Sequence, residues 1–192
     1  RDLHSFPTRR SSDLLPANRV IGMAGVLDTA RYRSFISMET GASMQDIQAL
    51  VLGGHGDTMV PLPRYTTISG IPVSEFISKE RMDEINTRAS NGGVEIVNHL
   101  KTGSAFYAPA SSVVQMVKAV VRNENRILPC SVLLNGEYGI TDSVVGVPVM
   151  LNKDGMVKII ELQLNAEEKA LLDNSAKFVK KNIDEAVAML GL

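Results

Sequence analysis

The chain has 192 residues, of which 44% are hydrophobic and 21% charged, with a formal net charge of −1. That is ordinary globular composition, long enough for one sizeable core, and its near-neutral field excludes bulk attraction to nucleic acid or to a membrane surface. No apolar run reaches the roughly 18 residues of a membrane span, the single Cys130 excludes an internal disulfide, and no cysteine–histidine cluster has zinc spacing, so no metal is expected.

Residues 1–14, RDLHSFPTRRSSDL, stand apart. They show no helical or strand periodicity and lack the apolar middle of a signal peptide. The stretch resembles a translated sequencing adapter, with a disordered leader as the alternative. It is set aside from the functional argument, with the expectation that further sequence belongs upstream.

From there the pattern predicts a mixture of helices and mostly antiparallel strands. Arg19–Gly22 reads as the end of a short strand. Leu27 to about Glu39 reads as a helix, with Ala30, Phe35 and Met38 near helical spacing and Gly41 as its stop. Ile47–Leu52 is apolar and β-prone, a buried strand expected to pair in parallel, and it runs directly into Gly53-Gly-His-Gly56. Thr66–Val73 holds a Ser-Gly turn between two short β-prone pieces. Lys79–Leu100 reads as a long helix with Met82, Ile85, Ala89, Ile96 and Leu100 on one face, broken or closely packed at Gly92-Gly93. Ser111–Asn123 is a second helix with Val113, Val114, Val117, Val120 and Val121 expected inward. Strands follow at Cys130–Leu134, Val147–Leu151 and Met156–Leu162, the last two joined by a turn at Asn152-Lys-Asp-Gly155. Asn165-Ala-Glu-Glu168 has the form of a capping box opening a last helix to about Leu190, with Leu172, Ala176, Val179, Ile183 and Val187 on one side. No repeat and no low-complexity tract occurs.

His55 is one of only three histidines, the others being His4 and His99. Glycines on both sides permit a sharp turn and the close approach of a ligand, and a strand's end is where α/β enzymes place reactive groups. Taken alone it can equally be a loop histidine that fills space. Asp28 and Arg31 share one side of a helix by their i, i+3 spacing; taken alone they read as a surface ion pair. Together the three form a more specific set. A carboxylate beside an imidazole fixes its tautomer and raises its pKa, and a guanidinium offers a planar fork to a carboxylate. Base, orienting acid and carboxylate clamp are what a 2-hydroxy acid dehydrogenase requires.

RVIGMAGVLDTAR (19–31), GGHGDTMVP (53–61), KTGSAFYAPASS (101–112) and LLNGEYG (133–139) resemble, as a set, the malate dehydrogenases of the bacterial, lactate-dehydrogenase-like branch, over essentially residues 15–192. The resemblance implies an α/β fold: residues 26–192 as the α+β substrate and catalytic C-terminal domain, and 15–25 as a remnant of the last strand region of a Rossmann, dinucleotide-binding domain. It implies His55 as proton acceptor, Asp28 as its partner and Arg31 as the substrate carboxylate clamp. Ser104 and Ala105 are expected to line the substrate pocket, Pro109 the nicotinamide side, and Asp57 to brace the turn. NAD is the implied cofactor and malate or oxaloacetate the substrate, in a cytoplasmic homo-oligomer of the tricarboxylic acid cycle with no nucleic-acid or membrane partner. No Gly-x-Gly-x-x-Gly occurs in these residues, so they do not supply the dinucleotide phosphate site. L-Lactate dehydrogenase is the alternative substrate reading; a short non-catalytic chain acting through a partner is the alternative class.

Overall fold

The computed structural model describes residues 15–191. The adapter-like stretch 1–14 lies outside them. A 3-10 turn at Ala17–Arg19 leads to Gly22, which pairs with Ser131 in an isolated antiparallel bridge, so this segment runs along the edge of the main sheet rather than forming a strand of its own.

Helix α1 spans Ala24–Thr40 and ends at Gly41, whose left-handed φ of 72° lets its N–H return to Ser37 O at 2.9 Å. Its inner face is Val26, Leu27, Tyr32 and Ile36. Met38, expected on the patterned face, is 68% exposed. The expected strand 47–52 is two strands in two different sheets, β1 (Ile47–Gln48) and β2 (Val51–Gly53). Neither is parallel. β1 pairs antiparallel with β4 (Thr67–Ile68), which turns through Ser69 and Gly70, both at positive φ, into β5 (Ile71–Pro72). β2 pairs antiparallel with β3 (Met59–Pro61) on one side and with a long central strand on the other. The hairpin expectation at Ser69-Gly70 therefore holds, and the parallel expectation fails because both short strands pair antiparallel with later chain that runs back past them, β1 with β4 and β2 with β3 and the central strand.

The chain then runs through α2 (Lys79–Ser90), α3 (Gly92–Leu100) and α4 (Tyr107–Val121). The 79–100 segment is broken at Asn91-Gly92, as the glycines predicted. Met82, Ile85 and Ala89 are buried, Ile96 is partly covered and Leu100 is 45% exposed. α4 corrects the sequence reading. Val113, Val114, Val117 and Val121 face outward at 45–77% exposure, while Ser112 and Ala119 form the buried side and Met116 packs on the core.

The main sheet is completed by β6 (Arg126–Asn135), β7 (Thr141–Asn152) and β8 (Gly155–Ile159), in the order β3-β2-β7-β6 with β8 also paired to β7. β6 covers one edge of β7 along nearly its full length. β2 and β8 share the other edge, at Gly146 and at 149–152 respectively. The β7–β8 turn sits at Asn152–Gly155, where the sequence placed it. Helix α5 (Ala166–Leu190) opens on the expected capping box: Asn165 accepts from the Glu168 N–H and Glu168 accepts from the Asn165 N–H. Leu172, Ser175 and Ala176 are its buried face; Val179 and Ile183 are partly covered and Val187 is exposed.

Two apolar clusters result. One joins the main sheet to α5 through Leu134, Val145, Val147, Val149, Leu151 and Leu172; the other joins α1 to the small sheet and α2 through Tyr32, Ile36, Ile47, Met82 and Ile85. α1 contributes to both, Val26 to the first and Tyr32 and Ile36 to the second. Among the described residues no helix is long and apolar enough to cross a membrane.

Candidate active site

The site is built where α1 meets the end of β2. α1 is fastened to β2 by the Thr29 hydroxyl, which accepts the Val51 N–H at 3.2 Å. This bond brings Asp28, one residue before Thr29, towards the chain that leaves β2. That chain passes through Gly53, at φ 83° and opposite Gly146 of β7. A Cβ on Gly146 would stand 2.5 Å from Gly53 O, and a Cβ on Gly54 would stand 2.3 Å from Thr58 Oγ1. The glycines around His55 thus have a requirement inside the chain: two strands and a tight turn approach more closely than side chains allow. Gly56, at φ 73°, opens the 3-10 turn Gly56–Thr58 with free space around it.

His55 sits between these glycines with extended backbone, and its Nδ1 lies 2.9 Å from Asp28 Oδ2. Asp28 is 2% exposed, whereas the His55 side chain is 52% exposed. A buried carboxylate thus holds one imidazole nitrogen, and among the described residues no hydrogen bond engages the other. The hydrogen bond to Asp28 is the main cause of a His55 pKa raised above the ordinary value, followed by partial burial, which lowers it; the Asp28 charge adds to the rise and Arg31 opposes it. With the carboxylate bonded at Nδ1, the neutral ring carries its proton there and presents Nε2 as the open base.

Arg31 completes the group. Its Nη1 is 3.9 Å from Asp28 Oδ1, so the two carboxylate oxygens face two different basic side chains. The Arg31 side chain is 11% exposed, and its Nε is buried with no hydrogen-bond partner. The guanidinium is therefore only loosely engaged by Asp28 and retains unused donors, as a clamp for an incoming anion requires. Gly92 and Gly93, at the start of α3, make its seat: Cβ atoms there would lie 3.3 Å from Arg31 Cδ and 3.4 Å from Arg31 Nη1. The sequence flagged this pair as a break or a close packing point; it is both.

The structure thus brings Asp28, Arg31 and His55 together. Ser104, Ala105 and Pro109 lie on the segment leading into α4 and in its first turn, with Ser104 exposed and Ala105 and Pro109 partly covered. α4 packs on α1 and β7, and among the described residues no hydrogen bond joins these three to the Asp28–His55–Arg31 group. Among the described residues no hydrogen bond from Asp57 braces the turn: Asp57 is exposed, and the turn has no side-chain cap. The bracing contact comes instead from Ser175 of α5, whose Oγ accepts the Gly54 N–H at 2.6 Å. The sequence held one signal for it, a serine in the inward register of an amphipathic helix between Leu172 and Val179.

Comparison with known proteins assigns this architecture. The profile of the lactate/malate dehydrogenase, alpha/beta C-terminal domain, matches residues 25–190. The chain belongs to the lactate/malate dehydrogenase family. Among its lactate/malate dehydrogenase relatives, the malate dehydrogenase of Roseiflexus sp. strain RS-1 is 60% identical over 174 residues, which are 91% of this chain and 56% of that protein. The malate dehydrogenase of Salinibacter ruber superposes with a TM-score of 0.88 at 49% identity, covering 93% of this chain and 59% of that one. The lactate dehydrogenase of Eimeria maxima, determined with NADH and oxamate, gives 0.87 at 39% identity, covering 93% and 57%. The chain spans little more than half the length of the curated relatives it matches.

Proposed function

We propose that this chain is the substrate-binding and catalytic portion of an NAD-dependent malate dehydrogenase, interconverting (S)-malate and oxaloacetate. The observation that carries the proposal is the Asp28–His55–Arg31 group: an imidazole oriented by a buried carboxylate at 2.9 Å, beside a guanidinium with donors to spare. The 60% identity to a malate dehydrogenase supports malate over lactate. Residues 26–192 form the catalytic domain in this reading, and 15–25 the last piece of the dinucleotide-binding domain.

Each residue has a distinct task. Arg31 binds the carboxylate next to the reacting carbon through its guanidinium fork. His55 Nε2 takes the hydroxyl proton of malate during oxidation and returns it to the ketone oxygen during reduction. Asp28 keeps the imidazole proton on Nδ1 and stabilises the imidazolium once Nε2 is protonated. With Asp28 ionised, the group carries no net charge while His55 is neutral and one positive charge once His55 is protonated, so the reductive direction starts from a site that favours an anion.

The chain fits the cofactor at one end only. The His55 side chain is half exposed, and Ser104, Ala105 and Pro109 are proposed to border the substrate and nicotinamide beside it. The phosphates find no glycine fingerprint in this sequence. NAD, when bound, supplies the hydride chemistry at the carbon that Arg31 and His55 hold in place. A cytoplasmic homo-oligomer serving the tricarboxylic acid cycle is part of the same proposal.

The test joins this chain to the N-terminal part of the Roseiflexus enzyme that it does not span. NADH oxidation is then followed with oxaloacetate and with pyruvate. Turnover with oxaloacetate is expected. Arg31→Lys should raise the KM for oxaloacetate about 10–100-fold, since an ammonium cannot form the paired bonds. Turnover with neither 2-oxo acid, in a folded chimera that binds NADH, contradicts the proposal.

A further inference from the structure

His55 has little around it to fix its position. Its side chain is half exposed, so packing does not wedge the ring, and the turn that follows it has no side-chain cap. The ring is held by Asp28 at one end and by its own backbone at the other. That backbone has an anchor on a distant element. The Gly54 N–H donates to Ser175 Oγ at 2.6 Å, across 121 positions of sequence.

The anchor is enclosed. Ser175 is 2% exposed. A Cβ on Gly53 would stand 2.7 Å from its Oγ, and one on Gly54 3.4 Å from the same atom and 3.2 Å from Val179 Cγ2. Both glycines before His55 are therefore moulded around one hydroxyl on α5. Ser112 on α4 shows the ordinary use of a helical serine, donating to Ala108 O one turn back at 2.9 Å. Ser175 instead accepts from another element. It does so at the Gly53–Gly54 peptide, one peptide unit before the one that joins His55.

We propose that Ser175 is a positioning residue for His55: by accepting the Gly54 N–H it fixes the Gly53–Gly54 peptide, and with it the path of the backbone that sets the imidazole against Asp28. The functional consequence rests on the reading of His55 as the acid–base group; the geometric claim does not. A loss of this bond frees the Gly54 peptide to rotate, and the ring then trades its Nδ1 contact with Asp28 for solvent.

Long-range proton–nitrogen NMR of the histidine side chains, run on the full 192-residue chain, tests this directly. The His55 signals are identified by their loss in His55→Asn. Ser175→Ala removes the acceptor. Ser175→Cys keeps the same side-chain shape, somewhat larger and with a much weaker acceptor, so it leaves no cavity, controls for lost packing and carries the test if the alanine variant does not fold. In the unaltered chain neutral His55 should carry its proton on Nδ1, and the Gly54 amide should exchange slowly. In both variants Gly54 exchange should accelerate at least about tenfold, because an amide exchanges from its unbonded state, and a second population protonated on Nε2 should appear. Unchanged tautomer and unchanged Gly54 exchange in a folded variant overturn the proposal. The readout needs no turnover: a chimera inactive towards both 2-oxo acids removes the dehydrogenase reading while this comparison still decides the role of Ser175.

Discussion

Asp28 has two carboxylate oxygens and two basic neighbours, and that division of labour is the centre of the site. Oδ2 holds the imidazole of His55 at 2.9 Å, whereas Oδ1 stands 3.9 Å from Arg31. The close contact raises the His55 pKa above its ordinary 6.5; the distant guanidinium pulls the other way and loses. The sign has two consequences. For stability, the proton on His55 contributes fully below the ordinary value and that contribution disappears as pH climbs through the raised one. For the proposed catalysis, oxaloacetate reduction would need the protonated ring and malate oxidation the neutral one. In the chimera, the reductive kcat/KM should therefore fall with increasing pH through a midpoint above 6.5. Asp28→Asn should move that midpoint down, because the amide removes the negative charge that favours the imidazolium and leaves only a weaker, neutral acceptor. A midpoint that stays put in the asparagine variant would detach Asp28 from the titration of His55.

Helix α4 is the element where periodicity and environment part company. Its valines share a face at the spacing of an amphipathic helix, which makes them an attractive inward stripe. The pattern specifies which side chains travel together, but not which side meets the sheet. Here the small side, Ser112 and Ala119, faces in, since α4 packs closely on α1 and β7. Val117 is 52% exposed and Leu172 of α5 is fully buried. Val117→Lys should change the unfolding free energy by no more than about 0.5 kcal/mol. Leu172→Ala should cost about 2–5 kcal/mol through lost burial and the cavity left behind. Denaturant unfolding of the two variants measures both; a cost for Val117→Lys equal to that for Leu172→Ala would place the valine stripe in a core after all. The strand read at 47–52 divides for a related reason. Its apolar content is genuine, but Ile47 and Val51 are claimed by different sheets.

The whole molecule draws its site from segments far apart in sequence. Position 28 comes from α1, position 55 from the end of β2, position 175 from α5, and the seat of Arg31 from the Gly92-Gly93 break. Much of this was legible in the residues. The helix stop at Gly41, the turns at 69–70 and 152–155, the capping box at 165–168 and the grouping of His55, Asp28 and Arg31 all follow from local chemistry or from a set of specific motifs. What was not legible depends on tertiary approach. Asp57 looked like the natural brace for the turn because it is next to it, whereas the bond is made by a serine 121 positions away from Gly54. The orientation of α4 and the partners of the short strands are likewise properties of neighbours rather than of the segments themselves. The account stands on His55 as the group that moves the proton. Its most direct test is the kcat of oxaloacetate reduction by the chimera and by its His55→Asn variant at matched folding and NADH binding. A fall by a factor of about 10²–10⁴, the usual contribution of a positioned acid–base group, is the result expected; near-native turnover in the asparagine variant would contradict it.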